Sequence, residues 1–396
     1  MQEKVKVAIL SRHFSQSAGG AESYAVNLAL KLTQDYRIHV FCERSDVLSE
    51  GITIHRMAFN IKRPRWIAQW AFAVWSWRCT REGFAIVHAH ENTWHGNVQT
   101  VHVRPMRYSL FAKSLEPLQR FFRYIKVLTS PRLMAHLMLE GLRYSLSAPR
   151  LIVVVTPALG DIVSSYYHVG SSKIRVVTPG IQDQHEALTA HAQALVKQEA
   201  RASFGLQSAA WVLMVIGHNF EKKGLPAVLR ALEHLSGDVS LLVVGGGEAQ
   251  VKKWRSQCEQ SALAQRVVFT GLVSSASKAY AASDCLVHAT LDDIFPLVVL
   301  ESFAARVPVV LSVSPYCLAS DLMESSHTAH MLENPQQEAE IVKAVNLLRS
   351  DDSARLAMMD RAELFAKQHT WSELASRQRA IYEELILASS SASRMR

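Results

Sequence analysis

Asp293 and Glu301 stand eight positions apart in LVHATLDDIFPLVVLESFAARVP, the stretch from Leu286 to Pro308. The stretch reads as the end of a strand, a short acidic loop and a helix that begins at a proline. Asp292, Asp293, Phe295 and Pro296 form the junction. Proline suits the first turn of a helix, where its missing N–H costs nothing. The N–H groups of Leu297 and Val298 then point unpaired across the loop, which makes a ready anion site. The helix body (Leu297, Val298, Val299, Leu300, Phe303, Ala304) is apolar nearly all round and is expected to be buried. A buried Glu301 needs a partner for its charge. One reading is a buried helix that Asp292 or Asp293 merely caps. The spacing supports another. If both carboxylates rode on the helix they would stand about 12 Å apart at 1.5 Å per residue. A glycoside hydrolase pair needs roughly 5–9.5 Å. The longer separation suits gripping the two ends of a hydroxyl-rich ligand with an anion between them, and a nucleotide sugar has that shape.

Other residues could do chemistry. Gly19 and Gly20 lie in a loop between an apolar strand, Val5–Leu10, and a helix from about Ala21 to Leu32, where glycine permits close approach of backbone to a ligand. The pattern is not G-x-G-x-x-G, so the dinucleotide fingerprint is absent, and a plain turn is the alternative. His88, His90, His95 and His102 are close in sequence, but none has the i,i+4 spacing with an intervening Glu, so no metal site is expected. His102, in QTVHVRP at a strand end, is the one placed to face a cleft. Trp66–Trp77 carries four tryptophans over a helix-length stretch, which reads as core or as insertion at a membrane interface.

The net charge of +8 is unevenly placed. Between Arg104 and Arg150 nine Lys or Arg face two Glu, a surplus of seven. Basic side chains alternate there with aromatics, as in LQRFFRYIKVL. No nucleic-acid module is visible, so a solvated helical face or docking on anionic lipid are the two readings kept. Composition otherwise fits a globular protein, with 49% hydrophobic and 20% charged residues. The five cysteines are scattered and odd in number, which implies neither a disulfide frame nor a zinc site and fits a reducing cytoplasm. The N-terminus enters a strand with no signal peptide, and no apolar run approaches a membrane span.

The elements that must position these residues alternate. Arg37–Phe41, Thr53–Arg56, Ile86–Ala89, Leu151–Val155 and Ile174–Val177 read as strands with helices between. A second alternation runs through Trp211–Ile216, Ser240–Gly247, Arg266–Gly271, the DCLVHA strand and Val307–Ser312. The fold class is therefore α/β, with two doubly wound Rossmann-like domains and a ligand cleft between them. The boundaries expected are 1–180 with a basic helical insertion at about 104–150, then 181–370, then 371–396 as a helix packing back on the first domain. A polar helix over 184–203 is a candidate linker, and SSSASRMR a disordered tail.

AGGAE, VTPGI, GHNFEKKG, VVFTGLV, ASDCLVHAT and DIFPLVVLESFAARVPVV occur in this order and together resemble the GT-B retaining glycosyltransferases of family four. The resemblance covers nearly the whole chain and is strongest from about Val176 to Ser314. The basic insertion makes it similar, within the family, to the lipopolysaccharide-core hexosyltransferases. The resemblance implies that Asp293 holds hydroxyls of the donor sugar, that Glu301 holds ribose hydroxyls, and that the Leu297 and Val298 N–H groups meet the diphosphate. Lys223 matches the family lysine for the diphosphate, whereas His218 stands where arginine is usual and Lys222 is the candidate substitute. Gly19 and Gly20 match the loop approaching the donor phosphates, and His102 the histidine near the transferred sugar. Leu272, in the Phe269–Leu272 stretch, falls where the base is contacted, and Phe295 belongs to the donor-side junction. Besides His218, four features depart from the pattern: Asp for the first Glu, Pro296 and Arg306 for glycines, and SPYCLASD for a loop that usually carries a glycine pair and a following Glu. The implied reaction is metal-independent transfer of a hexose, with retention, from a nucleotide diphosphate sugar, expected to be UDP-linked. No cofactor beyond that co-substrate is implied. The expected acceptor is a membrane-associated glycan or glycolipid such as lipopolysaccharide core. The Arg104–Arg150 segment is expected to hold the protein on the anionic inner face of the cytoplasmic membrane, with no nucleic-acid partner. The rivals are a sugar-nucleotide epimerase and a non-catalytic nucleotide-sugar or membrane-binding protein.

Overall fold

A computed structural model of the chain describes residues 4–16, 19–58, 61, 63–111, 116–145, 150–182 and 190–394. The chain divides into two compact units. Unit 1 runs from the N-terminus to Gly180 and takes in the residues from Trp371 onward, and unit 2 is Ile181–Thr370.

Unit 1 is built on seven parallel strands: β1 (Lys6–Leu10), β2 (Arg37–Cys42), β3 (Ile52–Arg56), β4 (Ile86–Ala89), β5 (Val98–Val101), β6 (Leu151–Val154) and β7 (Ile174–Val176). Their order across the sheet is β3-β2-β1-β4-β5-β6-β7. Unit 2 has six: β8 (Trp211–Ile216), β9 (Val239–Val244), β10 (Val267–Gly271), β11 (Cys285–His288), β12 (Val309–Ser312) and β13 (His330–Leu332). Their order is β10-β9-β8-β11-β12-β13. Parallel strands need crossover helices, which cover both faces of the sheet, so the central strands are continuous apolar runs. In β8, Val212, Leu213, Met214, Val215 and Ile216 are all buried. The strand order reverses between β1 and β4 in unit 1 and between β8 and β11 in unit 2. At such a switch point the loops leaving the carboxyl ends part company and open a crevice.

The basic segment folds as three helices, Met106–Phe111, Pro117–Leu128 and Pro131–Tyr144. Among the described residues two of its cations are internal. Arg143 Nε donates to Gln99 Oε1 at 3.1 Å and its Nη2 to the Thr100 carbonyl at 2.6 Å, while Arg150 Nε donates to the Gly96 carbonyl at 2.9 Å. Part of the charge surplus therefore staples the segment to β5 and the loop before it. Helix Pro117–Leu128 buries none of its residues. The tryptophan stretch is helix Arg65–Thr80, with Trp66, Trp70 and Trp75 half-buried and Trp77 exposed. Trp70 Nε1 donates to the Ala135 carbonyl at 3.2 Å, which ties this helix under the basic segment.

Two expectations are corrected. The chain end is no disordered tail up to Arg394. Helix Trp371–Arg394 continues through it, with the Ser389 and Ser390 hydroxyls bonding back to the Ile386 carbonyl at 2.8 and 2.9 Å. Pro296, expected inside the first turn, is the residue before it: helix Leu297–Ala304 starts one position later, and the Pro296 carbonyl takes the Val299 N–H at 3.1 Å. The candidate linker is helical from Ala190 to Ser203, and residues 183–189 lie outside the described residues.

Candidate functional site

Residues at the carboxyl ends of β8 and β11 meet at the switch point of unit 2. GHNFEKKG leaves β8 and turns back through Gly224, whose φ is +81° and whose Cβ, were there one, would lie 2.1 Å from the Ala289 carbonyl oxygen. Only glycine lets the two loops press together there. The Lys222 carbonyl then accepts from the Leu291 N–H at 2.8 Å and from the Thr290 hydroxyl at 3.2 Å, so the loops are zipped by hydrogen bonds. This zip carries Lys223 to Asp293.

Lys223 Nζ forms a short ion pair with Asp293 Oδ2, and His288 Nε2 reaches the same oxygen at 3.1 Å. Asp293 Oδ1 accepts the Ile294 N–H at 3.0 Å. Around it the Asp293 backbone bonds the Tyr316 carbonyl at 2.8 Å and the Leu318 N–H at 3.1 Å, so SPYCLASD holds the loop from the other side. Burial opposes the charge on Asp293, but the His288 hydrogen bond and the Lys223 ammonium outweigh it and hold the carboxyl well below the usual carboxylate range. Burial keeps His288 neutral by lowering its pKa, so it serves as an N–H donor. A carboxylate has about four lone-pair directions. With three taken, one on Oδ1 remains. Lys222 pairs with Asp292 at 3.0 Å in solvent, where the pair contributes little.

The helix that follows presents its start to this loop. Among the described residues no acceptor pairs with the N–H groups of Leu297 and Val298. Phe295 is buried behind them. Glu301 has the partner its burial demands: the Tyr280 hydroxyl donates to Glu301 Oε2 at 2.7 Å and also lies 3.1 Å from the Val298 carbonyl. Burial first, then the Glu301 charge, pushes the Tyr280 pKa well above its ordinary value, so the phenol stays a donor. His288 and Tyr280 were not among the sequence candidates. His288 had a signal, a polar residue ending an apolar strand five positions before Asp293. Tyr280 had none.

The remaining candidates fall differently. His218 is exposed on the loop beyond β8, and Leu272 is exposed just past β10, while Phe269 is core. Arg306 does not enter the site region. It takes φ +55°, a left-handed conformation that glycine adopts freely, and its guanidinium pairs with Asp360 at 2.6 Å and with Glu363. In unit 1, Gly19 precedes helix Gly20–Leu32 with φ 164°, an extended conformation open to any residue, and a Cβ on Gly20 would meet open space. His102 is half-buried just past β5, with Nε2 3.0 Å from His90 Nδ1 and its ring edge-on to Tyr24 at 4.8 Å. Burial and the Arg143 charge push its pKa down to about 3. No group of three His, Cys, Asp or Glu side chains among the described residues is arranged to hold a metal ion.

Comparison with known proteins places these features in a family. Residues 196–365 match the family described as Glycosyl transferases group 1, and residues 18–185 match Glycosyltransferase Family 4. An uncharacterised glycosyltransferase of Methanocaldococcus jannaschii is 26% identical over 165 residues, 41% of this chain and 42% of that protein. The match therefore spans less than half the length of that relative. The structure of WaaG, a glycosyltransferase involved in lipopolysaccharide biosynthesis, superposes with a TM-score of 0.79 at 14% identity, covering 95% of this chain and 99% of that one. Anabaena Alr3699/HepE in complex with UDP-glucose superposes with a TM-score of 0.70 at 17% identity, covering 96% and 99%. The two parallel sheets are those of the GT-B fold.

Proposed function

The chain belongs to the group 1 glycosyltransferases, and from that premise we propose that it moves a hexose from a UDP-linked sugar to a membrane-associated glycan or glycolipid, with retention at the anomeric carbon. The observation that carries this reading is the Lys223–Asp293 pair at the unit 2 switch point, followed four positions on by a helix whose first N–H groups, those of Leu297 and Val298, pair with no acceptor among the described residues. Those donors suit a diphosphate whose negative charge grows as the glycosidic bond to it breaks. Asp293 keeps one lone-pair direction for a sugar hydroxyl, and Glu301, held by Tyr280, takes the ribose hydroxyls. Phe295 and Leu272 flank the donor, and His218 and Lys222 supply secondary contacts to it. For His102, Gly19 and Gly20 the family resemblance alone implies a role toward the donor. The family resemblance implies that the departing phosphate oxygen takes the acceptor's proton on the same face, so no protein base and no metal ion is assigned a step. UDP is preferred because HepE, of the same fold, was crystallised with UDP-glucose.

The membrane-associated acceptor is supported by helix Pro117–Leu128. Leu118, Phe121, Phe122, Ile125 and Leu128 recur at helical spacing along one exposed stripe, and Arg120, Arg123 and Lys126 line the other side. An amphipathic helix of this kind lies in the interface of an anionic bilayer. No helix among the described residues is long and apolar enough to cross a membrane.

Thermal-shift titration with UDP, GDP, ADP and their glucose conjugates tests the donor assignment. One nucleotide is expected to stabilise the wild type and to lose its effect in Glu301→Ala. A shift equal in both proteins removes Glu301 from the site, and no shift with any nucleotide removes the donor reading. Co-sedimentation with vesicles tests the location: binding is expected to rise with anionic lipid and to drop in Phe121→Ser/Phe122→Ser. Binding indifferent to lipid charge counts against it.

A further inference from the structure

Three histidines of unit 1 form a layered stack that nothing in the donor reading uses. His88, at the centre of β4, is fully buried. Its Nδ1 lies 2.7 Å from the Tyr382 hydroxyl, contributed by the last helix of the chain, and its Nε2 lies 2.6 Å from Thr100 Oγ1. Both ring nitrogens are engaged, so the ring cannot turn. His90 leans on it at 4.3 Å between ring centroids, and His102 stacks on His90 at 5.3 Å with 15° between planes. Tyr24, 1% exposed, packs against the His90 and His102 rings at 5.7 and 4.8 Å. Helix Pro131–Tyr144 adds the Arg143 guanidinium. Burial, reinforced by that charge and the neighbouring imidazoles, drives the pKa of all three rings down, so each is neutral near pH 7.

A neutral imidazole carries one N–H and one lone pair, and which nitrogen has the proton follows from its surroundings. His90 Nε2 is buried, and no protein group among the described residues pairs with it. An unpaired buried N–H is rarer and costlier than an unused lone pair. The proton of His90 therefore belongs on Nδ1, which faces His102 Nε2 at 3.0 Å. That hydrogen bond uses the lone pair of His102 at Nε2 and puts the His102 proton on Nδ1.

We infer that His90 is a positioning residue that fixes the tautomer of His102, so that His102 offers an outward Nδ1–H as a hydrogen-bond donor and is not a base. Tyr382 and His88 act one layer further back, by holding the ring on which His90 rests. The tautomer stands on the geometry of unit 1 alone. Only its use, donation of that N–H to an oxygen of the transferred sugar, rests on the donor reading.

The test is a long-range proton–nitrogen NMR spectrum of the full chain with nitrogen-15 histidine at pH 7.5. Assignment comes from single His88→Gln, His90→Asn and His102→Asn variants. His90 and His102 are expected to show protonated Nδ1 and unprotonated Nε2. His90→Asn, whose side-chain N–H occupies nearly the place of Nδ1, is expected to keep the His102 signature, and His90→Leu to lose it. A wild-type spectrum with the proton on Nε2 of either residue overturns the inference, as does an imidazolium signature on either. A His102 tautomer unchanged in His90→Leu overturns the role given to His90. Thermal shifts with UDP and UDP-glucose then separate the two readings. No response to either nucleotide removes the donor reading and leaves the tautomer result standing. A stronger response to UDP-glucose than to UDP, lost in His102→Leu and in His90→Leu, supports the N–H as the group used, and a preference for UDP-glucose kept in His102→Leu overturns that use.

Discussion

The two units gather different side chains near their switch points. In unit 2 the crevice is charged: Lys223 pairs with Asp293 and Lys222 with Asp292, while Glu301 takes a hydrogen bond from a neutral phenol. In unit 1 the histidine layer is itself neutral, made of imidazoles, phenols and a threonine bound by hydrogen bonds, while charge sits beside it in Arg143 and, just past β1 and β2, in the Arg12–Glu43 ion pair. Paired charges keep their ionisation and can be re-paired by an incoming anion. A neutral stack has no charge to give and instead fixes which edge of a ring carries a proton. The difference suggests that unit 2 supplies electrostatic stabilisation and unit 1 supplies orientation.

The sharpest way to break that contrast is Lys223→Ala. It removes the ammonium proposed to meet the leaving diphosphate, and it leaves Asp293 with His288 as its remaining side-chain donor. Turnover is expected to fall on the order of a hundredfold or more. Stability is expected to drop by about 1–3 kcal/mol, because a half-buried carboxylate loses a charged partner. Single-turnover kinetics and urea unfolding measure the two effects. A variant with unchanged turnover would take the leaving-group role away from unit 2.

Acid separates the units next. A histidine whose folded pKa lies below its unfolded value of about 6.5 binds fewer protons folded than unfolded. Its stabilisation is complete above that unfolded value and is lost as pH falls, down to the folded pKa near 3 for His88 and His102. Each such histidine contributes a slope of up to about 1.4 kcal/mol per pH unit in that window. Unit 1 holds His39, His55, His88, His90, His95, His102 and His136 in this state, and unit 2 holds His288 and His330. Asp293 has a depressed pKa, so its contribution is present above about pH 3.9 and is lost only below that. Hydrogen exchange at pH 5 against pH 7.5 is therefore expected to show protection falling further in unit 1 than in unit 2. Equal losses would show that the histidine layer is not held neutral.

Tyr382→Phe gives a smaller effect. The phenyl ring keeps the packing against Tyr36 at 5.5 Å between centroids, while the 2.7 Å bond to His88 Nδ1 disappears. A buried polar atom left unpaired costs about 1–3 kcal/mol, so the melting temperature is expected to fall by a few degrees. The nucleotide response is expected to stay, since unit 2 is untouched. If the loss of stability is absent, the layer is not under the control of the last helix.

The two layers also differed in how readable they were. Short runs of four to eight residues announced the parallel strands, and GHNFEKKG and DIFP already contained Lys223 and Asp293. Those signals are local, because a βα loop carries its chemistry within a few positions of its strand. The partners were not local. Tyr280 reaches Glu301 from 21 positions away, and Tyr382 reaches His88 from 294. His88 and His90 were weighed only as metal ligands, since nothing in their spacing discloses a phenol arriving from the end of the chain. Arg306 shows the reverse case. As a departure from the family pattern it threw doubt on the site, yet its side chain is occupied elsewhere.

Arg306→Gly is accordingly expected to have the smallest effect of all. Glycine relieves a left-handed residue at φ +55°, worth about 1 kcal/mol. Against this, the half-exposed ion pairs to Asp360 and Glu363 are lost, each worth about 0–1 kcal/mol. The two nearly cancel, and unfolding should shift by less than about 1 kcal/mol. The nucleotide response should be unchanged, since the guanidinium faces the helix of Asp352–Lys367 and not the loops around Asp293. A lost response with intact folding would mean that this turn, which carries the chain from helix Leu297–Ala304 into β12, sets the helix start that the donor reading depends on.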